Sequence, residues 1–196
     1  MHRKRILVVT LVLVLSALSL GLANQQAQAA RPTILLVTPQ EQIGVGDSFT
    51  VAVYVEDSGQ TAGFEFDLLY DETLLRLTQF TIEPGFGRSG ECDSNLTRCA
   101  LVLGPKRTVG GASVGAVTYG NAVEFQGSGN MAYLHFQAMG QSGTATFMVQ
   151  NALLTDAFGH SVSPEIRTGD AIAIGHARQL FLPSVRGINS NGTEGE

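Results

Sequence analysis

Tryptophan is absent, and only two cysteines and four histidines occur in 196 residues. Each shortage excludes something. Exposed aromatic faces commonly grip sugar rings, and the broadest of them is missing. Only Tyr54, Tyr119 and Tyr133 are available for that task, because most phenylalanines fall at inward positions. His135, His160 and His176 are scattered, none in an H-x-x-x-H spacing, and the cysteines have no third or fourth partner nearby. The sequence therefore offers no metal site and calls for no cofactor. Charged residues make up 15% of the chain, no basic cluster occurs, and the formal net charge is −5. Such a chain should avoid nucleic acid and anionic membrane surfaces. Nor does any stretch show the apolar period of a long amphipathic helix.

Long hydrophobic runs are also missing, with one exception. Residues His2 to Arg5 are basic, Ile6 to Leu22 are nearly all apolar, and Ala27-Gln28-Ala29 is an A-x-A cleavage site. Residues 1–29 thus read as a secretory signal peptide. A retained membrane anchor is the alternative, but the cleavage site fits removal better. Removal takes away Arg3, Lys4 and Arg5 with no acid, which moves the net charge from −5 to −8. The expectation is a secreted, extracellular or cell-surface protein with no membrane insertion after signal removal. Residues 30–176 then form one domain. Residues 177–196 are a tail expected to be disordered; Leu182-Pro183 within it lacks the rest of a sortase signal. In an exported chain the close pair Cys92 and Cys99 is most simply a disulfide, with free thiols as the alternative.

What remains is abundant β signal. The stretch from Gly63 to Asp71 places Phe64, Phe66, Leu68 and Tyr70 on one face and Glu65 and Asp67 on the other. It reads as the central strand of a two-sheet sandwich. Phe49, Val51, Val53 and Val55 alternate in the same way, as do Ala132, Leu134, Phe136 and Ala138. Further strands are expected at Thr33 to Thr38, Leu75 to Ile82, Ala100 to Leu103, Ser113 to Tyr119, Thr144 to Thr155 with a break near Asn151, and Gly169 to Gly175. A helical turn is expected at Asp71 to Leu74. Loops are expected at Pro84 to Arg98, on the surface, and at Pro105 to Gly111. The fold class is all-β, a nine-stranded jelly-roll β-sandwich.

Several motifs carry chemistry only in the right context. Gly111-Ala112-Ser113-Val114-Gly115 matches a nucleophile elbow, but a strand-like run follows where a helix is needed. Gly85 to Gly90 matches G-x-G-x-x-G without a helix to meet a pyrophosphate. Glu91, Asp93 and Asn95 alternate like calcium ligands, yet Leu96 stands where the loop glycine should be. Each is more simply a loop or strand start. Paired carboxylates of a glycosidase meet only in space. For Glu65 and Asp67 a solvated or partner-binding face is the better reading.

Val45 to Val51 followed by Gly63 to Asp71 resembles the opening of bacterial cohesin domains. Gly127 to Ala138 and Leu154 to Gly159 resemble that family's later strand and hairpin. The resemblance covers Thr33 to Gly175. It implies a non-catalytic module that binds a dockerin-like partner in polysaccharide-degrading or cell-surface assemblies. It also implies a partner face on the central strand at Gly63, Glu65 and Asp67. Cohesins share their fold superfamily with carbohydrate-binding modules, so a polysaccharide ligand is the alternative. A surface domain without a soluble ligand is a third.

Overall fold

The computed structural model describes residues 31–40 and 42–175. The expected signal peptide and tail lie outside the described residues. In chain order the strands are β1 (Thr33–Val37), β2 (Ile43–Gly44), β3 (Ser48–Glu56), β4 (Gln60–Thr61) and β5 (Gly63–Tyr70). There follow β6 (Leu75–Ile82), β7 (Arg98–Thr108), β8 (Gly111–Gly120), β9 (Phe125–Gln126) and β10 (Gly129–Ala138). The last are β11 (Gly143–Ala145), β12 (Phe147–Thr155), β13 (Ser161–Val162), β14 (Glu165–Arg167) and β15 (Ile172–Gly175). No helix occurs among the described residues. The fifteen segments among the described residues are more numerous than the nine expected, several of them only two or three residues long, but the class is the expected one, an all-β sandwich.

Two five-stranded sheets form its layers, in the orders β14-β1-β3-β10-β6 and β13-β12-β5-β8-β7. A three-stranded sheet (β11-β15-β2) and the β4-β9 pair complete the fold. The alternation explains the layering. Phe49, Val51, Val53 and Val55 from β3 meet Leu134 and Phe136 from β10 and Phe64, Phe66 and Leu68 from β5 in one core. Phe136 is its hinge of contact, with ring centroids 5.6 Å from Phe49 and 5.2 Å from both Tyr70 and Phe147.

Local readings fare well where chemistry is local. After β5 the Asp71 carbonyl accepts from the Leu74 and Leu75 N–H groups, a single helical turn, while its carboxylate accepts from Thr73. The break at Asn151 is a bulge in the β12–β5 pairing between Gln150 and Leu153. Ile172 and Ile174 close the core as expected.

Two expectations are corrected. Pro105 to Gly111 is not all loop: Lys106, Arg107 and Thr108 pair with Ser113, Ala112 and Gly111. A bulge between Leu103 and Lys106 absorbs Gly104-Pro105, and β7 is the last strand of its sheet, where a residue without an N–H is tolerated. Nor is Pro84 to Arg98 wholly a surface loop. Phe86 is fully buried, packed edge-on against Phe64 at 5.2 Å, and Arg88 bridges to Cys99 along the β7 edge. One apolar residue in a polar stretch carries no period, so the sequence pattern could not reveal its burial.

Candidate functional site

The outer face of the β13-β12-β5-β8-β7 sheet holds the predicted residues. Strand β5 presents Glu65 outward because Phe64 and Phe66 on either side are core residues. Pairing fixes the neighbours. Glu65 lies between Leu153 of β12 and Gly115 of β8, and Leu103 of β7 follows Gly115. Asp67 lies between Gln150 and Ser113, with Lys106 beyond. Gly63 lies between Thr155 and Val117, with Leu101 beyond.

The three predicted positions differ in kind. Glu65 is exposed and borders a groove of about 300 Å³ shared with Leu103, Lys106, Ser113 and Gly115. That groove exists because Gly115 has no side chain; a Cβ there would sit 2.6 Å from the Phe64 carbonyl oxygen. Asp67 is half-buried, and both its oxygens are engaged. Ser113 Oγ donates to Oδ1, and Asn151 Nδ2 donates to Oδ2 at 2.7 Å. These two bonds, Ser113 first, hold its carboxyl below the usual carboxylate range against the opposing effect of burial. Gly63 is buried. Its close approach is to its own sheet, since a Cβ would lie 3.1 Å from Val117 Cγ1 and 3.2 Å from the Ala116 carbonyl oxygen. Among the three, Glu65 alone offers an exposed acidic side chain.

The sequence reading missed the apolar part of this face. Leu101, Leu103 and Val117 are 56%, 42% and 40% exposed, and they stand in adjacent register positions beside Gly63 and Glu65. Tyr119 continues the row at 46%. In Cys99 to Leu103 both strand faces are apolar, so alternation could not tell inside from outside. An edge position two strands from Glu65 is visible only after the sheet is assembled.

The other motifs resolve simply. Gly111 to Gly115 is strand throughout, and the Ser113 hydroxyl is held by Asp67. Asp93 caps its own turn through Asn95 N–H. Among the described residues no three His, Cys, Asp or Glu side chains are grouped to hold a metal ion, and no helix is long and apolar enough to cross a membrane. Cys92 and Cys99 are joined in a disulfide. Tyr54 and Tyr133 lie on the outer face of the opposite sheet, away from Tyr119. There His135 sits between the hydroxyls of Thr50 and Thr81.

The architecture is similar to solved cohesin structures. A cohesin module from a Clostridium perfringens family 33 glycoside hydrolase superposes with a TM-score of 0.55 at 15% identity, over 74% of this chain and 96% of that one. CaCohA2 from Clostridium acetobutylicum, in its CaDoc0917 complex, gives 0.51 at 12%, over 74% and 99%. A type I cohesin–dockerin complex from Clostridium thermocellum gives 0.50 at 11%, over 74% and 99%. At these identities the likeness speaks for the fold alone. No curated protein sequence matches. The family model of the cohesin domain matches residues 35–174, which run from β1 into β15 and take in both sheets. The chain belongs to the cohesin domain family.

Proposed function

We propose that the protein is a secreted, non-catalytic attachment module that binds a dockerin-type protein partner through the outer face of the β13-β12-β5-β8-β7 sheet. One observation carries the reading: an exposed apolar row, Leu101, Leu103 and Val117, lies beside the exposed carboxylate of Glu65. Monomeric proteins seldom leave such a row uncovered, and interfaces combine an apolar centre with charges that set orientation. The comparisons support a protein partner, because cohesins similar in fold are solved in complex with dockerins. Asp67 shapes this face as a positioning group, since its oxygens are already engaged.

The test is binding kinetics of dockerin modules against wild type and variants at two salt concentrations. Glu65→Ala should slow association at low salt and matter less at high salt. Leu103→Ser should speed dissociation by about tenfold, the size expected for one buried apolar anchor. No binding by any dockerin, or binding that neither variant changes, overturns the reading. Direct carbohydrate binding is the second reading. It is favoured by Tyr54 and Tyr133, which lie outward on neighbouring strands among hydroxyl and imidazole groups. A positive glycan array with no protein partner would select it.

A further inference from the structure

We propose that the notch where β5, β6 and β7 meet is a second binding site, for a sugar residue that bears a carboxylate. β6 and β7 are the last strands of the two sheets, and they touch on the same side of the sandwich. Between them and the end of β5 lies a cavity of about 270 Å³, enough for a single pyranose ring. None of Glu65, Leu101, Leu103 and Val117 lines it, so this site stands or falls independently of the dockerin face.

Its chemistry is set by four side chains: Tyr70, Glu72, Arg76 and Arg107. The Tyr70 ring packs edge-on against Phe136 at 5.2 Å, which fixes where its hydroxyl stands. Burial pushes that phenol up, so it is a neutral hydrogen-bonding group at any ordinary pH. Arg107 pairs with Glu72 at 3.0 Å. Arg76 has no ion-pair partner among the described residues. The lining thus carries two guanidiniums and one carboxylate, and only Arg107 is paired with it, which leaves a positive charge at the notch of a chain with net charge −5. Pro105, Ala112 and Met139 supply apolar surface to the same cavity.

A planar guanidinium matches a carboxylate, and it remains charged at every ordinary pH. The Tyr70 hydroxyl, whose oxygen already accepts from the Leu77 backbone, still has its proton to donate, and the Glu72 oxygens accept, which suits sugar hydroxyls that donate and accept. Glu72 also weighs against an acidic peptide. Such a peptide brings it no hydroxyl donors, whereas each uronic acid ring carries hydroxyls beside its carboxylate.

The experiment uses a short oligogalacturonate, its methyl ester and triglutamate, each titrated into the protein and followed by backbone NMR shifts. The ester keeps the ring but loses the charge. Saturable shifts at Leu77, Ala112 and Met139 are expected with the oligogalacturonate alone. Arg76→Gln should weaken it by about tenfold or more, as loss of a charge-assisted pair does. Tyr70→Phe, which keeps the ring on Phe136, should weaken it several-fold. Both variants should retain the wild-type spectrum elsewhere. Absence of saturable shifts, equal binding of the ester or triglutamate, or wild-type affinity in Arg76→Gln would overturn the proposal.

Discussion

Asn151 Nδ2 donates to Asp67 Oδ2 at 2.7 Å across the β5–β12 pair, from a β12 residue whose backbone φ is +50°. The bulge and the hydrogen bond belong together. The bulge turns Asn151 out of the ladder, and asparagine tolerates the left-handed conformation better than most residues. Asp67, deprived of full solvation, gains a donor. Asn151→Ala should lose the bond and strain the backbone, costing about 1–2 kcal/mol. Asn151→Gly should lose the bond without the strain and cost less. Denaturant midpoints of the two variants check the order; equal losses would mean that backbone strain plays no part.

The same carboxylate makes stability depend on acid. The carboxyls of Asp67 and Asp71 are both held low, by Ser113 and Asn151 in one case and by Thr73 in the other. A folded-state pKa below the unfolded value gives stability that is present above the unfolded pKa, about 3.9. It is lost as pH falls through the lower folded values. Melting temperature should therefore be level near neutrality and fall below about pH 4. In Asn151→Gly the fall should be shallower, because one cause of the depression is gone. An unchanged profile would remove Asp67 from the account.

Inside and outside on β5 differ by one residue. Phe66 is fully buried and its neighbour Glu65 is exposed. Phe66→Ala should cost about 3–5 kcal/mol, and Phe86→Ala a similar amount. Glu65→Ala should change stability by about 0.5 kcal/mol or less. Chemical denaturation of the three variants tests the register; comparable losses at positions 65 and 66 would refute it.

Reduction of Cys92–Cys99 should leave the sandwich intact. The bridge spans seven residues, a short loop, so its expected contribution is about 2–3 kcal/mol. Phe86 and the Arg88 bridge still tie the preceding segment to β7. Intact mass with and without reduction, followed by thermal melting, checks both points. Alkylation of two thiols without a reductant would show that the bridge is absent.

The sequence by itself determined the class of fold and the inward face of the alternating strands β3, β5 and β10. Period-two alternation is a local property: Phe64, Phe66 and Leu68 must leave water together, and Glu65 must then face it. The turn at Asp71 and the break at Asn151 were legible because both are local: the Asp71 carboxylate holds the Thr73 N–H, and asparagine tolerates the positive φ that the bulge needs. What only the tertiary structure decided depends on residues far apart in the chain. Strand pairing set Gly115 beside Glu65, Ser113 beside Asp67, and β8 over Gly63. The sheet edge left Leu101 and Leu103 in water although their composition suits a core. The meeting of β5, β6 and β7 gathered Tyr70, Arg76 and Arg107 into one notch. An alternating pattern states which side of a strand is wet. Which neighbour stands there is fixed by register between distant segments, and no local pattern encodes that.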